Sequence, residues 1–390
     1  MIKKFASSSI IYAGSALLFS VVRQLIFFPL LNKISPDLFV QISFTIILID
    51  LLVYTFGAAI ADFYVKSVIG NNKQEGLYRF LFYFSFVSLS TVFIFLFYNI
   101  VFYISILLSI YILLYVLNTL QMKVFFNNLQ FYKNYLYIFI RIIPYLFLLF
   151  YSSYINIESF FIFVLCLLFT EFLAFYLFKK DLMKIGFLYL QSDVVKNYGV
   201  IKFLFIYLLL SLVLRLDMFM IEIFFPEMFA EYYQIVSVFM IAVTPITMLT
   251  SASLLSILTK VDIKVFLKFK YKIILILASI STISGFIFYI ISDYVVHLLY
   301  PQNSLIGVLN LFPFVVIFFT LLFMVSKTFL IKYTASNKIL LLNITILILP
   351  LLFISNFISF IYAFFIIRGL VYIIAMSQIK LKDTECSSKN

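Results

Sequence analysis

Charge is the scarcest property of this 390-residue chain: only 11% of its residues are Asp, Glu, Lys or Arg, against 65% hydrophobic and 21% aromatic. No soluble core holds that much apolar side chain. A helix crossing the hydrocarbon layer takes about 20 apolar residues, so this composition suffices for about twelve crossings and leaves only short loops and tails. Short loops exclude a receptor ectodomain, a nucleotide-binding domain or a glycosyltransferase domain on this chain. Histidine occurs once, as His297 outside every apolar stretch, so no span contains an imidazole base. Cys166, in an apolar run, and Cys386, in the polar tail, imply neither a disulfide framework nor a metal site. The nine glycines supply no phosphate-binding loop. No cofactor is expected.

What is present is a series of apolar stretches near 7–31, 38–61, 80–98, 101–121, 135–153, 159–178, 203–225, 232–257, 273–291, 305–326, 339–354 and 359–377. Stretches such as Phe80–Phe97 are apolar on every side, which fits helices rather than the alternating strands of a barrel. The start, Met1-Ile2-Lys3-Lys4 followed by apolar residues, resembles a signal peptide but runs to Leu31 without a small-residue cleavage site. It reads as a retained first span.

The formal net charge of +12 is sided. Lys33 is the only cation in one set of alternate loops, and Arg23, Arg141, Arg215 and Arg368 lie within spans. All other Lys and Arg fall in the opposite loops and the two tails. Positive charge marks the cytoplasmic side, so both termini are expected there, on a multi-pass protein of the plasma membrane. The surplus fixes orientation and does not point to nucleic acid. In Thr259–Lys272, Lys260, Lys264, Lys268 and Lys272 recur every four residues. That pattern fits a helix on the anionic inner surface, or equally a continuation of the eighth span with snorkelling lysines.

The chain also echoes itself. Pro36-Asp37-Leu38-Phe39 leads into the second span and Pro226-Glu227-Met228-Phe229 into the eighth; Ser20-Val21-Val22-Arg23 is echoed by Ser211 to Arg215, and Pro144 of the fifth span by Pro350 of the eleventh. These matches keep one order and a similar offset, which argues for two six-span halves. An even number makes the repeat parallel and places a central cavity between the halves. The expected organisation is a lobe at 1–180, a cytoplasmic linker at 181–202, a second lobe at 203–378 and a cytoplasmic tail at 379–390. Pro144 and Pro350 each remove a backbone donor and kink a helix, either as hinges or as static bends.

Eight ionisable groups lie within the spans: the four arginines and Asp50, Glu171, Asp217 and Glu222. At about 3 kcal/mol each, they cannot all face lipid, so they face one another or a wet interior. Arg368 is about 13 Å from either end of its span, too deep for easy snorkelling, whereas Arg141 lies about two turns from the inner surface. Arg215 and Glu222 share one helix face, and Asp217 points away from it. For Asp50, Glu171 and Asp217, structural ion pairing and binding of a coupling proton or sodium ion both remain open.

Three passages carry a family resemblance. Leu30–Phe39 is similar to an "LLxxxxxPxxFG" passage. Lys196–Gly199 leads through Leu214-Arg215-Leu216-Asp217 to Pro226–Tyr233, and His297-Leu298-Leu299-Tyr300-Pro301 precedes the tenth span. Together they resemble the multidrug/oligosaccharidyl-lipid/polysaccharide exporter superfamily, and within it the polysaccharide-export branch of Wzx-type O-antigen flippases. Val40 and Ala230 stand where glycine is usual, and the proline common after Gly199 is absent. The resemblance implies a flippase, not an enzyme. Its implied cargo is an undecaprenyl-diphosphate-linked oligosaccharide, moved from the cytoplasmic to the outer leaflet by alternating access for O-antigen, lipopolysaccharide or capsule synthesis. Membrane lipid and other polysaccharide-assembly membrane proteins are the further partners it implies. Guanidinium pairs bidentately with phosphate oxygens, so Arg23, Arg215, Arg368 and then Arg141 are the candidate diphosphate contacts. A cation-coupled multidrug exporter of the same fold, a lipid II-type flippase and a membrane-embedded glycan polymerase are the alternatives.

Overall fold

The structure is a computed structural model that describes residues 14–15, 17–58, 91–92, 94–95, 100–127, 131–152, 160–190, 199–248, 263–333 and 336–379. Among these residues every regular element is helical. In chain order they are α1 (Leu17–Ile34), α2 (Pro36–Val53), α3 (Phe102–Asn127), α4 (Phe131–Ile140), α5 (Ile143–Ser152), α6 (Phe160–Leu190) and α7 (Gly199–Phe224). Then come α8 (Pro226–Met248), α9 (Ile263–Leu299), the short α10 (Leu305–Val308), α11 (Phe312–Tyr333), α12 (Ser336–Ile348) and α13 (Phe357–Ser377). Eight helical stretches among the described residues are long and apolar enough to cross a membrane. The expected third span at 80–98 and residues 249–262 lie outside the described set, apart from 91–92 and 94–95, as do Asp62 and Lys66, whose one-turn sequence spacing suits a helical ion pair.

Local chemistry sets several helix starts. Pro36 opens α2, where its missing N–H costs nothing, and the Ser35 hydroxyl accepts from the Leu38 N–H at 3.4 Å. Asp37 adds negative charge to that first turn. Pro226 and Glu227 repeat the pattern at α8, and the Phe three residues after each proline, Phe39 and Phe229, is buried. Asn356 caps α13 by accepting from the Ser359 N–H at 3.0 Å.

Three boundaries differ from the sequence expectation. From Ile263 the lysine segment runs unbroken into the ninth span, making the 37-residue α9, so its described part is not a separate surface helix. The tenth span does not start at 305. Residues Leu305–Val308 form a separate turn of helix, and α11 begins at Phe312 with Pro313 in its first turn. Lys327, counted among the loop cations, instead lies inside α11 and is buried.

The described residues cluster in two compact units, one from Leu30 to Ser211 and one combining residues up to Pro29 with those from Leu212. In the first, α3 packs on α6 and α2, and α5 packs on α6. In the second, α11 lies between α9 and α13. Glycine permits both close approaches: a Cβ at Gly285 of α9 would come 2.7 Å from Phe314, and one at Gly369 of α13 would come 2.6 Å from Phe319. The core of this unit is aromatic. Phe312 is fully buried, with its ring centroid 5.7 Å from Phe365, 5.8 Å from both Tyr232 and Tyr362, and 6.2 Å from Phe239.

Candidate functional site

Each unit holds an arginine turned into its interior, Arg141 partly buried and Arg368 almost fully, in distinct settings. In the unit from Leu30 to Ser211, the fifth span is broken: α4 ends at Ile140, Arg141 and Ile142 form a turn, and α5 begins at Ile143. Pro144 accounts for the break, because it has no N–H for the carbonyl of Ile140 one turn back. The Ile142 N–H instead reaches Phe139 O at 3.1 Å. Arg141 turns inward there and donates from Nε to Glu171 Oε1 at 2.9 Å. Its guanidinium carbon lies 3.5 Å from the Tyr115 ring centroid and 5.2 Å from that of Tyr137.

Glu171 is almost fully buried and well supplied with donors. Its Oε2 accepts from the Tyr137 hydroxyl and from Asn118 Nδ2, both at 2.8 Å, and Asn118 Nδ2 also donates to the Glu171 carbonyl at 3.0 Å. Both carboxylate oxygens are satisfied and the charge is matched. Such a pair is costly to break, since removing one member strands the other. Asp50, half-buried on α2, lies near enough to act electrostatically on Tyr115.

The second unit holds Arg368 midway along α13, 3% exposed. Its Nη2 donates to Thr320 Oγ1 on α11 at 2.8 Å. Its guanidinium carbon lies 4.6, 4.9 and 5.0 Å from the ring centroids of Phe365, Phe364 and Phe323. Nε makes no hydrogen bond, and among the described residues no carboxylate forms an ion pair with this side chain. Asp217 on α7 is also buried. Its Oδ2 accepts from the Tyr232 hydroxyl of α8 at 2.6 Å, while Oδ1 has no hydrogen-bond partner among the described residues. Asp217, Arg215 and Arg368 are near enough to act on one another through their charges. Lys327 lies two turns beyond Thr320 on the same face of α11 and is buried too.

The remaining sequence candidates are more peripheral. Arg23 is half-buried in a π-helical turn, 5.2 Å from the Phe19 ring centroid, and donates to Gln24 when that amide is oriented to accept, at 3.0 and 3.1 Å. Glu222 is half-buried on α7, with no hydrogen bond or ion pair among the described residues. Pro350 sits where α12 tightens into the 3-10 turn Leu349–Phe353, near the end of its span rather than at its middle. Sequence reasoning missed Thr320, Tyr232, Asn118 and Tyr137, neutral partners that give no signal in so apolar a chain. Glu231, just ahead of the expected eighth span, accepts from the N–H groups of Ser304 and Leu305 at 2.9 and 2.8 Å and holds the start of α10.

No protein-family model matches the sequence, and no curated protein matches it. Solved structures do match. The chain is similar to one described as the outward-facing conformation of a multidrug resistance MATE family transporter of the MOP superfamily, with TM-score 0.62 and 14% identity. It is also similar to a MATE protein in complex with MaL6, with TM-score 0.60 and 12% identity. Both alignments cover all of this chain and 97% of the other. The protein therefore has the all-helical, multi-span fold of MATE transporters of the MOP superfamily, with about twelve helices.

Proposed function

We propose that this MOP-fold membrane transporter is a flippase for a lipid-linked oligosaccharide joined through a diphosphate, of the kind used to build O-antigen or capsule. The observation that carries the reading is Arg368, a buried cation bound by a hydroxyl and three aromatic faces rather than by a carboxylate. A diphosphate is the complementary ligand for such a group. Its lipid tail stays in the bilayer while its charge and its glycan cross. Arg23 and Arg215, in the same unit as Arg368, are the other proposed diphosphate contacts.

Arg141 is removed from that role in this reading, because Glu171 already neutralises it. Asp217 is the proposed coupling group for a proton or sodium ion, with Asp50 and Glu222 as further candidates. Pro144 and Pro350 are proposed hinges of alternating access between lobes at 1–180 and 203–378, joined by the segment 181–202. Both termini, including the tail at 379–390, are proposed to be cytoplasmic in a bacterial plasma membrane.

A strain lacking its own oligosaccharide flippase tests the reading. The R23A/R215A variant should insert normally yet fail to restore surface polysaccharide; full restoration would overturn the diphosphate assignment. A second reading, export of cationic drugs, draws on the description of the first matching structure and on buried Asp217. It predicts resistance to cationic dyes on expression, which a diphosphate-lipid flippase does not confer.

A further inference from the structure

Helix α9 is far longer than a membrane requires. Its 37 residues extend about 55 Å, against a hydrocarbon core of about 30 Å. The side chains mark where that core falls. Between Lys272 and Asp293 there is no charged residue, and that interval spans about 31 Å. Ile276, Ile280, Ile283, Ile287, Ile290 and Tyr294 recur at helical spacing across it, and all are exposed. Of the eight membrane-length stretches, this one is the least buried. It is a lipid-facing stripe.

Followed past Ile276 toward the start of the helix, the same face carries Lys272 and then Lys268, both exposed. Phe269 and Tyr271 flank them, also exposed, and no acid occurs from Ile263 to Lys272. The stripe therefore ends in two cations one turn apart, at headgroup height. We propose that Lys268 and Lys272 bind the headgroup of an anionic bilayer phospholipid whose acyl chains lie along the Ile276 to Ile290 stripe. Charge complementarity selects the headgroup, and the adjoining apolar stripe selects a lipid over a free anion.

The third lysine of that turn faces inward. Lys270 Nζ donates to the carbonyls of Ser377 and Ile379 at 2.6 and 3.2 Å, capping the C-terminus of α13. A lipid held by Lys268 and Lys272 thus sits on the turn that fixes the end of the helix carrying Arg368.

The test uses the purified full-length protein and native mass spectrometry in mixed phosphatidylglycerol and phosphatidylcholine. Its readout is binding, so it stands or falls apart from the transport reading. Wild type should retain phosphatidylglycerol in preference to phosphatidylcholine, and K268Q/K272Q should lose on the order of tenfold of that preference. K268R/K272R should keep it, which separates loss of charge from loss of fold. Equal retention by wild type and K268Q/K272Q, or loss of preference in K268R/K272R, would overturn the proposal.

Discussion

Arg141 and Arg368 are the same residue, each set against aromatic rings inside a span, yet their partners differ in kind. Arg141 meets a carboxylate whose two oxygens are filled by Arg141 itself, Tyr137 and Asn118, so its charge is matched within the cluster. Arg368 meets Thr320 and three phenylalanine faces, which orient its positive charge without cancelling it. A desolvated charge with no carboxylate in contact is costly to leave in a fold, and Asp217 acts on Arg368 only through space, without a direct ion pair. Under the proposed function, Arg368, held by Thr320 on the helix that also carries the buried Lys327, is the arginine open to an anionic ligand, and Arg141 is the one held by an internal pair.

Breaking the first cluster should have the largest effect. E171A strands Arg141 and should cost about 3–5 kcal/mol, seen as a large fall in the melting temperature of the purified protein and in its membrane level. R141Q/E171Q, which removes both charges, should recover most of that loss; if it melts as low as E171A, charge pairing is not what holds the cluster. Next in size is the packing beneath Arg368. G369L forces α13 off Phe319 of α11 and should cost about 1–3 kcal/mol, while separating Arg368 from Thr320. Near-wild-type melting would mean that the close approach is not needed. The smallest effect belongs to Thr320 alone. T320V removes one hydrogen bond to a charged group, and bonds of this kind inside membranes average about 0.6 kcal/mol. Its melting point should barely move while transport falls, because Arg368 loses its orientation; unchanged transport would assign Thr320 to packing only.

The unequal legibility of these features in the sequence has physical causes. Long apolar runs determine a multi-span helical fold whatever the details of packing, whereas the twin Pro-acid-x-Phe passages, expected to lead into spans at 38 and 232, themselves open α2 and α8 at Pro36 and Pro226. The lysine repeat at 260–272 was ambiguous because a surface helix and the overhang of a long span share one periodicity. Lys327 was misplaced because a lysine after an apolar run reads as its end, although the helix continues to Tyr333. Pairing was harder still. Arg141 and Glu171 are 30 residues apart and meet where the fifth span breaks ahead of Pro144, and Thr320 and Tyr232 carry no charge that would set them apart from their neighbours.

The most direct measurement compares the two arginines in one assay. Purified R368Q and R141Q/E171Q, reconstituted in vesicles, are followed for translocation of an undecaprenyl-diphosphate-linked oligosaccharide. R368Q should lose translocation while melting close to wild type, and R141Q/E171Q should retain it. Translocation by R368Q at the wild-type rate would contradict the account.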